Sequence, residues 1–435
     1  MKMEKKLKSR YVIVGNSVAG INCIEGIREF DREGTIIVFS DEEILNYSRP
    51  LISYYLAGRL NEDALSFRDK RFYERNNINL FTGTSVRKID IRTKIVYTDK
   101  GKYEFDYLFI GTGGKPIMPT ISGIDKIKEG IFTFTKLSDA KKIKSFIEKE
   151  KIQEAVILGG GLIGLKCAEA LLERKISIKI IELADRILPN TFDHLASEII
   201  ENKLKEKGCE VIKKNTIEKV HARNSKLKEV ILSDGRKIKT QILIVGIGVL
   251  PELKIVENTE ILRNRGIIVN EHMQTNIPFI YAGGDVAEAD EFISEKKVVI
   301  PIWPVAARMG KIAGANMAGE NKKYDGMFAM NSVEFLGIPT ISFGMTNPPD
   351  SENYQIIKKV DVEKSIYKKI VIRDNTIIGA IYLGNIERAG IITGLIKNRI
   401  DISSIKHLLS SDNFGLLVLP EAYRKHMVKG EGIEV

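Results

Sequence analysis

The sequence predicts an α/β protein: two Rossmann-like dinucleotide-binding domains, the second inserted in the first, followed by a C-terminal α+β domain. Three observations predict it. A short buried β run, a glycine-rich turn and a helical pattern fill residues 11–30, opening YVIVGNSVAG, and a second apolar run follows at Thr35–Phe39. The same grammar returns at residues 155–172, opening AVILGGGLIG, with Ser177–Glu182 as its second strand. Two further strands end in small residues, at Gly111–Gly114 and at Gly246–Pro251, and read as points where the chain crosses between the domains.

A chain of 435 residues exceeds one compact domain, since domains run roughly 100–200 residues. The spacing of the motifs divides it into a discontinuous first domain (1–113 and 248–326), an inserted domain (114–247) and a C-terminal domain (327–435). Asn79–Tyr97 and Phe105–Gly111 read as β-rich, and Gly266–Val269 and Ile280–Asp285 as later strands of the first domain. In the last domain, Ser332–Phe343 and Ile366–Tyr382 read as strands, and Ile386–Asn398 and Ile402–Leu409 as helices.

With 43% hydrophobic and 29% charged residues the composition is that of a folded globular protein. The net charge of +10 comes from basic residues spread along the chain without interleaved aromatics, which argues against nucleic acid and leaves an acidic protein partner as the charged alternative. The three cysteines, Cys23, Cys167 and Cys209, form no close pair, so a disulfide framework and a metal site are not expected and a cytoplasmic setting is. The charged start is followed by a short strand rather than a signal sequence, and no apolar run is long enough for a membrane anchor.

In the first fingerprint Gly15 allows the tight turn and Gly20 the close helix packing, with Asn16, Ser17 and Ala19 between them; Ser17 stands at the middle glycine position. Amides at a helix start hold a pyrophosphate against the positive dipole. Ser40, Asp41 and Glu42 fall where a carboxylate would bind an adenosine ribose. The second fingerprint is complete at Gly159, Gly161 and Gly164, with Leu162 and Ile163 between, and Glu182 ends its second strand. A carboxylate there accepts from both ribose hydroxyls and repels a 2′-phosphate, so NADH is preferred over NADPH, with Arg186 close enough to soften the preference.

These motifs resemble those of the pyridine nucleotide-disulfide oxidoreductases over nearly the whole chain. Within them the segment Asn46–Ser53, NYSRPLIS, is similar to the NADH:rubredoxin and ferredoxin reductase branch, which includes the nitrite reductase large subunit and apoptosis-inducing-factor-like proteins. The resemblance implies FAD in the first domain and NAD(H) in the second. It implies that Asp41 and Arg49 hold the FAD adenosine diphosphate, that Val86 contacts the adenine, and that Thr112, Gly113 and Gly114 line the flavin. Asp285 and Val286 would meet the ribityl chain, Trp303 and Pro304 the isoalloxazine, and Gly246, Ile247 and Gly248 the nicotinamide.

Two departures accompany the resemblance. Residues 45–53 carry no redox cysteine, which disfavours disulfide and peroxidase chemistry, and Cys23 and Cys167 read as core filling. The Lys–Glu pair that many relatives hold near flavin N5 falls on Tyr54 and Lys166, so these two are the candidate catalytic residues, with Lys166 a cation facing the flavin. The C-terminal part is similar to the small domain that serves dimer contacts or covers the flavin, and to the FAD subunit of phenylglyoxylate dehydrogenase. The expected function is hydride transfer between NADH and FAD, then electron transfer to or from a rubredoxin- or ferredoxin-like carrier or iron–sulfur partner subunits. A homodimer is also open. The alternatives are an NADH oxidase using oxygen directly and a non-enzymatic redox-responsive flavoprotein.

Overall fold

The computed structural model describes residues 8–349, 353–411, 414–419 and 424. These fall into two compact units, one formed from Met1–Pro119, Thr133–Glu150 and Gly248–Met327, the other from Thr120–Phe132, Lys151–Ile247 and Phe328–Val435.

In the first unit the apolar runs found in the sequence become a parallel sheet in the order Ile280–Ala282, Tyr107–Ile110, Arg10–Val14, Thr35–Phe39, Ile78–Phe81. Strands buried on both faces need continuous β-branched sequence, and Val12, Ile13, Ile36, Val38 and Ile280 are fully buried. Ile280–Ala282 joins this sheet from beyond the second glycine turn, so the unit is built from separated stretches of the chain, and these include Thr133–Glu150, which the motif spacing assigns to the inserted domain. The helix Val18–Phe30 covers the sheet and packs on the helix Trp303–Met317 with almost no side chain between them. A Cβ on Gly310 would lie 2.1 Å from the Ala19 carbonyl oxygen, one on Gly314 2.1 Å from that of Cys23, and one on Gly26 2.3 Å from that of Lys311. Backbone meets backbone along this seam, which only glycine permits.

The second unit repeats the design with the order Glu210–Ile212, Ser177–Ile181, Glu154–Leu158, Leu243–Val245, Ile131–Thr133. Its helix Leu162–Glu173 follows the second glycine turn. The same unit holds a five-stranded antiparallel sheet in the order Met330–Phe335, Ile338–Gly344, Thr376–Leu383, Ile366–Arg373, Gln355–Asp361, with the helix Ala389–Lys397 against it. Both apolar stretches read as strands are hairpins. Leu336 and Gly337 have φ of 51° and 86°, and Asp374 and Asn375 have 48° and 54°, the left-handed pairs that a two-residue turn requires.

Two expectations need correction. Ile402–Leu409 is not an α-helix: only Lys406–Leu408 forms a short 3-10 turn. The Asp401 carboxylate accepts the Ser403 amide at 2.8 Å, a local bond that competes with helical pairing. The helix expected from Ile386 starts at Ala389, because Arg388 before it sits at φ 63°. Among the described residues no helix is long and apolar enough to cross a membrane.

Candidate functional site

At the first turn the chain leaves the strand Arg10–Val14 with Gly15 at φ +113°, and a Cβ there would lie 2.1 Å from the carbonyl oxygen of Gly111. Gly20 closes the helix onto the turn, 1.9 Å from the Gly15 carbonyl by the same measure. Ser17 caps the helix in extended geometry but makes no side-chain cap bond, and the first helical turn, with Ala19, carries no acid, so the positive end of the dipole is uncompensated. Asn16 turns inward, donating to the Leu45 carbonyl and accepting from the Tyr73 hydroxyl at 3.0 Å. Ser40 is buried, and Asp41 is 61% exposed and ion-paired to Lys136 at 2.9 Å.

Glu42 is occupied by the protein itself. One carboxylate oxygen accepts from the Arg49 guanidinium at 3.1 Å, the other from the Tyr47 hydroxyl at 2.8 Å. Tyr47 in turn accepts the Leu137 amide at 3.1 Å, and Arg49 donates to the Thr135 carbonyl at 3.0 Å. Burial works against a charged Arg49, yet Tyr47, Glu42, Asp285 and Asp41 together hold it more firmly protonated than usual. Burial lifts the Asp285 carboxyl above its ordinary range, only partly offset by Arg49. Arg49 and Asp285 therefore act on one another within this unit. Val286 and Val86 are buried in its core, Thr112 donates to the Glu252 carbonyl at 2.8 Å, and Gly114 lies on the strand that pairs with Val249–Pro251. Trp303 and Pro304 open the helix Trp303–Met317, with the Phe67 ring edge-on to Trp303 at 5.0 Å.

The second turn has the same geometry in other residues. Gly159 stands at φ +109° with Gly246 beside it, and Gly164 lies 1.9 Å, by the Cβ measure, from the Gly159 carbonyl. Gly161 caps the helix that Leu162 and Ile163 begin, again with no acid in its first turn. Glu182 is buried, and its two carboxylate oxygens accept the amides of Gly160 at 2.6 Å and Ala184 at 2.7 Å. Ile247 is 38% exposed at the end of this sheet's strand Leu243–Val245, and Gly248, in the first unit, has φ +114°.

Residues 9–310 match the pyridine nucleotide-disulphide oxidoreductase family, and residues 330–400 match the rubredoxin NAD+ reductase C-terminal domain. The chain belongs to the first of these families. It is 32% identical over 399 residues to the nitrite reductase [NAD(P)H] of Bacillus subtilis, covering 91% of this chain and 48% of that one. It is 27% identical to the NADH-dependent phenylglyoxylate dehydrogenase subunit epsilon of Aromatoleum evansii, covering 92% and 94%. The crystal structure of NADH:rubredoxin oxidoreductase from Clostridium acetobutylicum superposes with a TM-score of 0.75 at 25% identity, covering 92% and 97%. The chain spans about half the length of the Bacillus subtilis relatives it matches.

Members of this pyridine nucleotide-disulphide oxidoreductase family are FAD-dependent NAD(P)H oxidoreductases, and FAD and NAD(H) are the cofactors here. The residues fit such groups. Gly161 has an ordinary φ of −81°, and a Cβ on it would meet no atom within 4 Å, so the protein's own packing does not require glycine there. Space left bare at the start of a helix is what a pyrophosphate needs. A Cβ on Gly113 would likewise meet nothing within 4 Å.

The two candidate catalytic residues are held within their own units. Lys166 is ion-paired with Glu169 and donates to the Glu334 carbonyl at 3.3 Å, while Tyr54 lies under the Arg59 guanidinium at 5.5 Å. Cys23, Cys167 and Cys209 are buried, and desolvation pushes all three thiols up, Cys209 to about 12. Sequence reasoning missed Tyr47 and Tyr73, which fix Glu42 and Asn16. Tyr47 stood inside the quoted NYSRPLIS segment, but a hydroxyl contact to a residue five positions earlier leaves no trace in spacing.

Proposed function

We propose that the chain is the flavoprotein module that takes reducing equivalents from NADH and passes them to a separate one-electron protein carrier or to iron–sulfur partner subunits. When bound, FAD accepts a hydride from NADH and releases electrons singly, which a nicotinamide cannot do. The carrying observation concerns the thiols. All three cysteines of the chain are buried with raised pKa values, and none lies in residues 45–53, so electrons have no thiol on this chain to travel through. They leave for another molecule.

In this reading the amides at Ser17 and Gly161 meet the two pyrophosphates. Asp41 and Glu182 accept from the adenosine riboses, and Glu182 favours NADH over NADPH. Arg49, steadied by Glu42 and Tyr47, supplies the positive charge for the FAD diphosphate, and Asp285 accepts from the ribityl hydroxyls. Lys166 and Tyr54 attend the flavin edge. The net charge of +10 suits an acidic carrier, and the buried thiols suit the cytoplasm. A dimer through the C-terminal domain belongs to the same reading.

Anaerobic titration of the FAD-loaded protein with NADH, following loss of the flavin band, is the test. Bleaching by NADH well before NADPH, and turnover that needs an added carrier and weakens with salt, would bear the proposal out. Sustained turnover with oxygen alone would replace it with an oxidase, and no bleaching would end it. For Lys166 the measurement is the flavin reduction potential of Lys166→Ala, which an uninvolved lysine would leave unchanged.

A further inference from the structure

We infer that the C-terminal domain is a working part of the NAD(H) site, clamping the loop 183–193 through the positioning residues Asn347, Tyr367 and Lys369. This rests on assigning Glu182 and the turn Gly159–Gly164 to NAD(H).

The loop begins at the ribose acid and folds back on the glycine turn. Its Leu188 amide donates to the Gly160 carbonyl at 2.8 Å, matching the bond that Glu182 accepts from the Gly160 amide. Leu188 is buried and stands at φ 50°, a conformation a branched residue keeps only where its surroundings dictate it. The residues that follow Leu188 are tied to the C-terminal domain. The Asn347 side-chain amide donates to the carbonyls of Pro189 at 3.2 Å and Phe192 at 3.1 Å. Arg186 donates to the same two oxygens, each at 3.3 Å, and also to Asp185 at 2.9 Å. The Phe192 ring meets Phe335 edge-on at 6.5 Å.

The loop's end is held by charge. Asp193 caps the helix His194–Glu206 through the Ala196 amide at 3.1 Å, and its other oxygen accepts from Tyr367 at 2.6 Å and Lys369 at 3.1 Å. Tyr367 and Lys369 are two apart on the strand Ile366–Arg373, so strand periodicity turns both toward the carboxylate. Side-chain exposure is 5% for Lys369 and 13% for Asp193, so this ion pair is largely withdrawn from water.

The consequence is twofold. A loop already ordered by the C-terminal sheet loses less freedom when a nucleotide binds, which tightens binding without a new contact to the ligand. Arg186, its guanidinium spent on the loop's own carbonyls and Asp185, is kept from a 2′-phosphate. The clamp thus sets both affinity and the preference for NADH.

The test uses the FAD-loaded protein and calorimetric binding of NAD+ and NADP+, which do not reduce the flavin. Asn347→Ala, at an exposed side chain, and Tyr367→Phe remove donors without leaving a cavity. Each is expected to raise the NAD+ Kd about 3- to 10-fold, to narrow the NAD+ over NADP+ preference, and to leave FAD content unchanged. Glu182→Ala is the control for the site. Unchanged NAD+ affinity in both clamp variants, with weakened binding in Glu182→Ala, would overturn the clamp alone. Unchanged affinity in Glu182→Ala would overturn the NAD(H) assignment and the clamp with it. A fall in melting temperature with an unaltered NAD+ to NADP+ ratio would reduce the clamp to scaffolding.

Discussion

The two glycine turns are the same backbone written in different side chains. Gly15 and Gly159 each donate to the second strand, at Phe39 and Ile181, both at 2.8 Å. Gly111 and Gly246 donate back to Val14 and Leu158, again both at 2.8 Å. The match runs on into the loops. Ser40 and Glu182 donate to Phe81 and Ile212, and accept from Thr84 and Asn215, so Ser40 is the counterpart of Glu182, and Asp41 that of Leu183. Identity survives where backbone touches backbone. It is lost at Ser17 against Gly161, at Ser40 against Glu182 and at Asp41 against Leu183. The lesson is that a shared glycine reports folding, while the unshared Gly161, which the protein's own packing does not require, is the one we propose serves the cofactor.

That division can be broken most forcefully at the third glycine. Gly20→Ala and Gly164→Ala each place a methyl about 2 Å from a carbonyl oxygen, and overpacking at backbone that cannot yield should cost about 3 kcal/mol or more. Denaturant unfolding should register both, with Gly20→Ala losing FAD and Gly164→Ala losing NAD+ binding while keeping FAD.

Asp193→Asn comes next. It leaves Lys369 buried and unpaired, at about 3 kcal/mol. Burial alone would raise the Asp193 carboxyl, but the Tyr367 hydroxyl, the Ala196 amide and Lys369 hold it below its usual value. Its contribution is therefore complete above the unfolded carboxyl pKa of about 3.9, and drains away as pH falls through the lower folded value. The difference in stability between wild type and Asp193→Asn should shrink over that acid range, and a constant difference would contradict the pairing.

The sharpest contrast is small. Gly161→Ala should leave stability within about 1 kcal/mol of wild type, or raise it, because its φ is ordinary and its surroundings empty. Its NAD+ affinity should nonetheless fall, about tenfold, if the bare backbone serves a pyrophosphate. Ser17→Gly should change FAD affinity less than this, by a factor of about three in either direction; a tenfold loss would make the Ser17 hydroxyl a ligand contact.

Much of this was legible in the residues. Period, glycine spacing and the carboxylates after each second strand fixed both halves, because these features are imposed by local backbone geometry. The hidden part was pairing at a distance. Glu42 reads as a ribose acid by position, yet it holds Arg49 and Tyr47. Nothing in the spacing of Asn347 or Lys369 ties them to residues 186–193, because these contacts join segments more than 150 positions apart. The strand Gln355–Asp361 was also missed, since its polar residues blur the alternation of an edge strand.

The glycine seam between Val18–Phe30 and Trp303–Met317 sets an order of events at the ribosome. The first helix is made early, but the backbone it must touch emerges only after nearly three hundred further residues. The strand Ile280–Ala282 that completes its sheet is equally late. Until then Cys23, Ile24 and Ile27 face an incomplete core, whereas the inserted sheet has all its strands by Val245 and can close first. Chains released before Trp303 should thus carry a protease-resistant core from the second glycine turn and a protease-sensitive start.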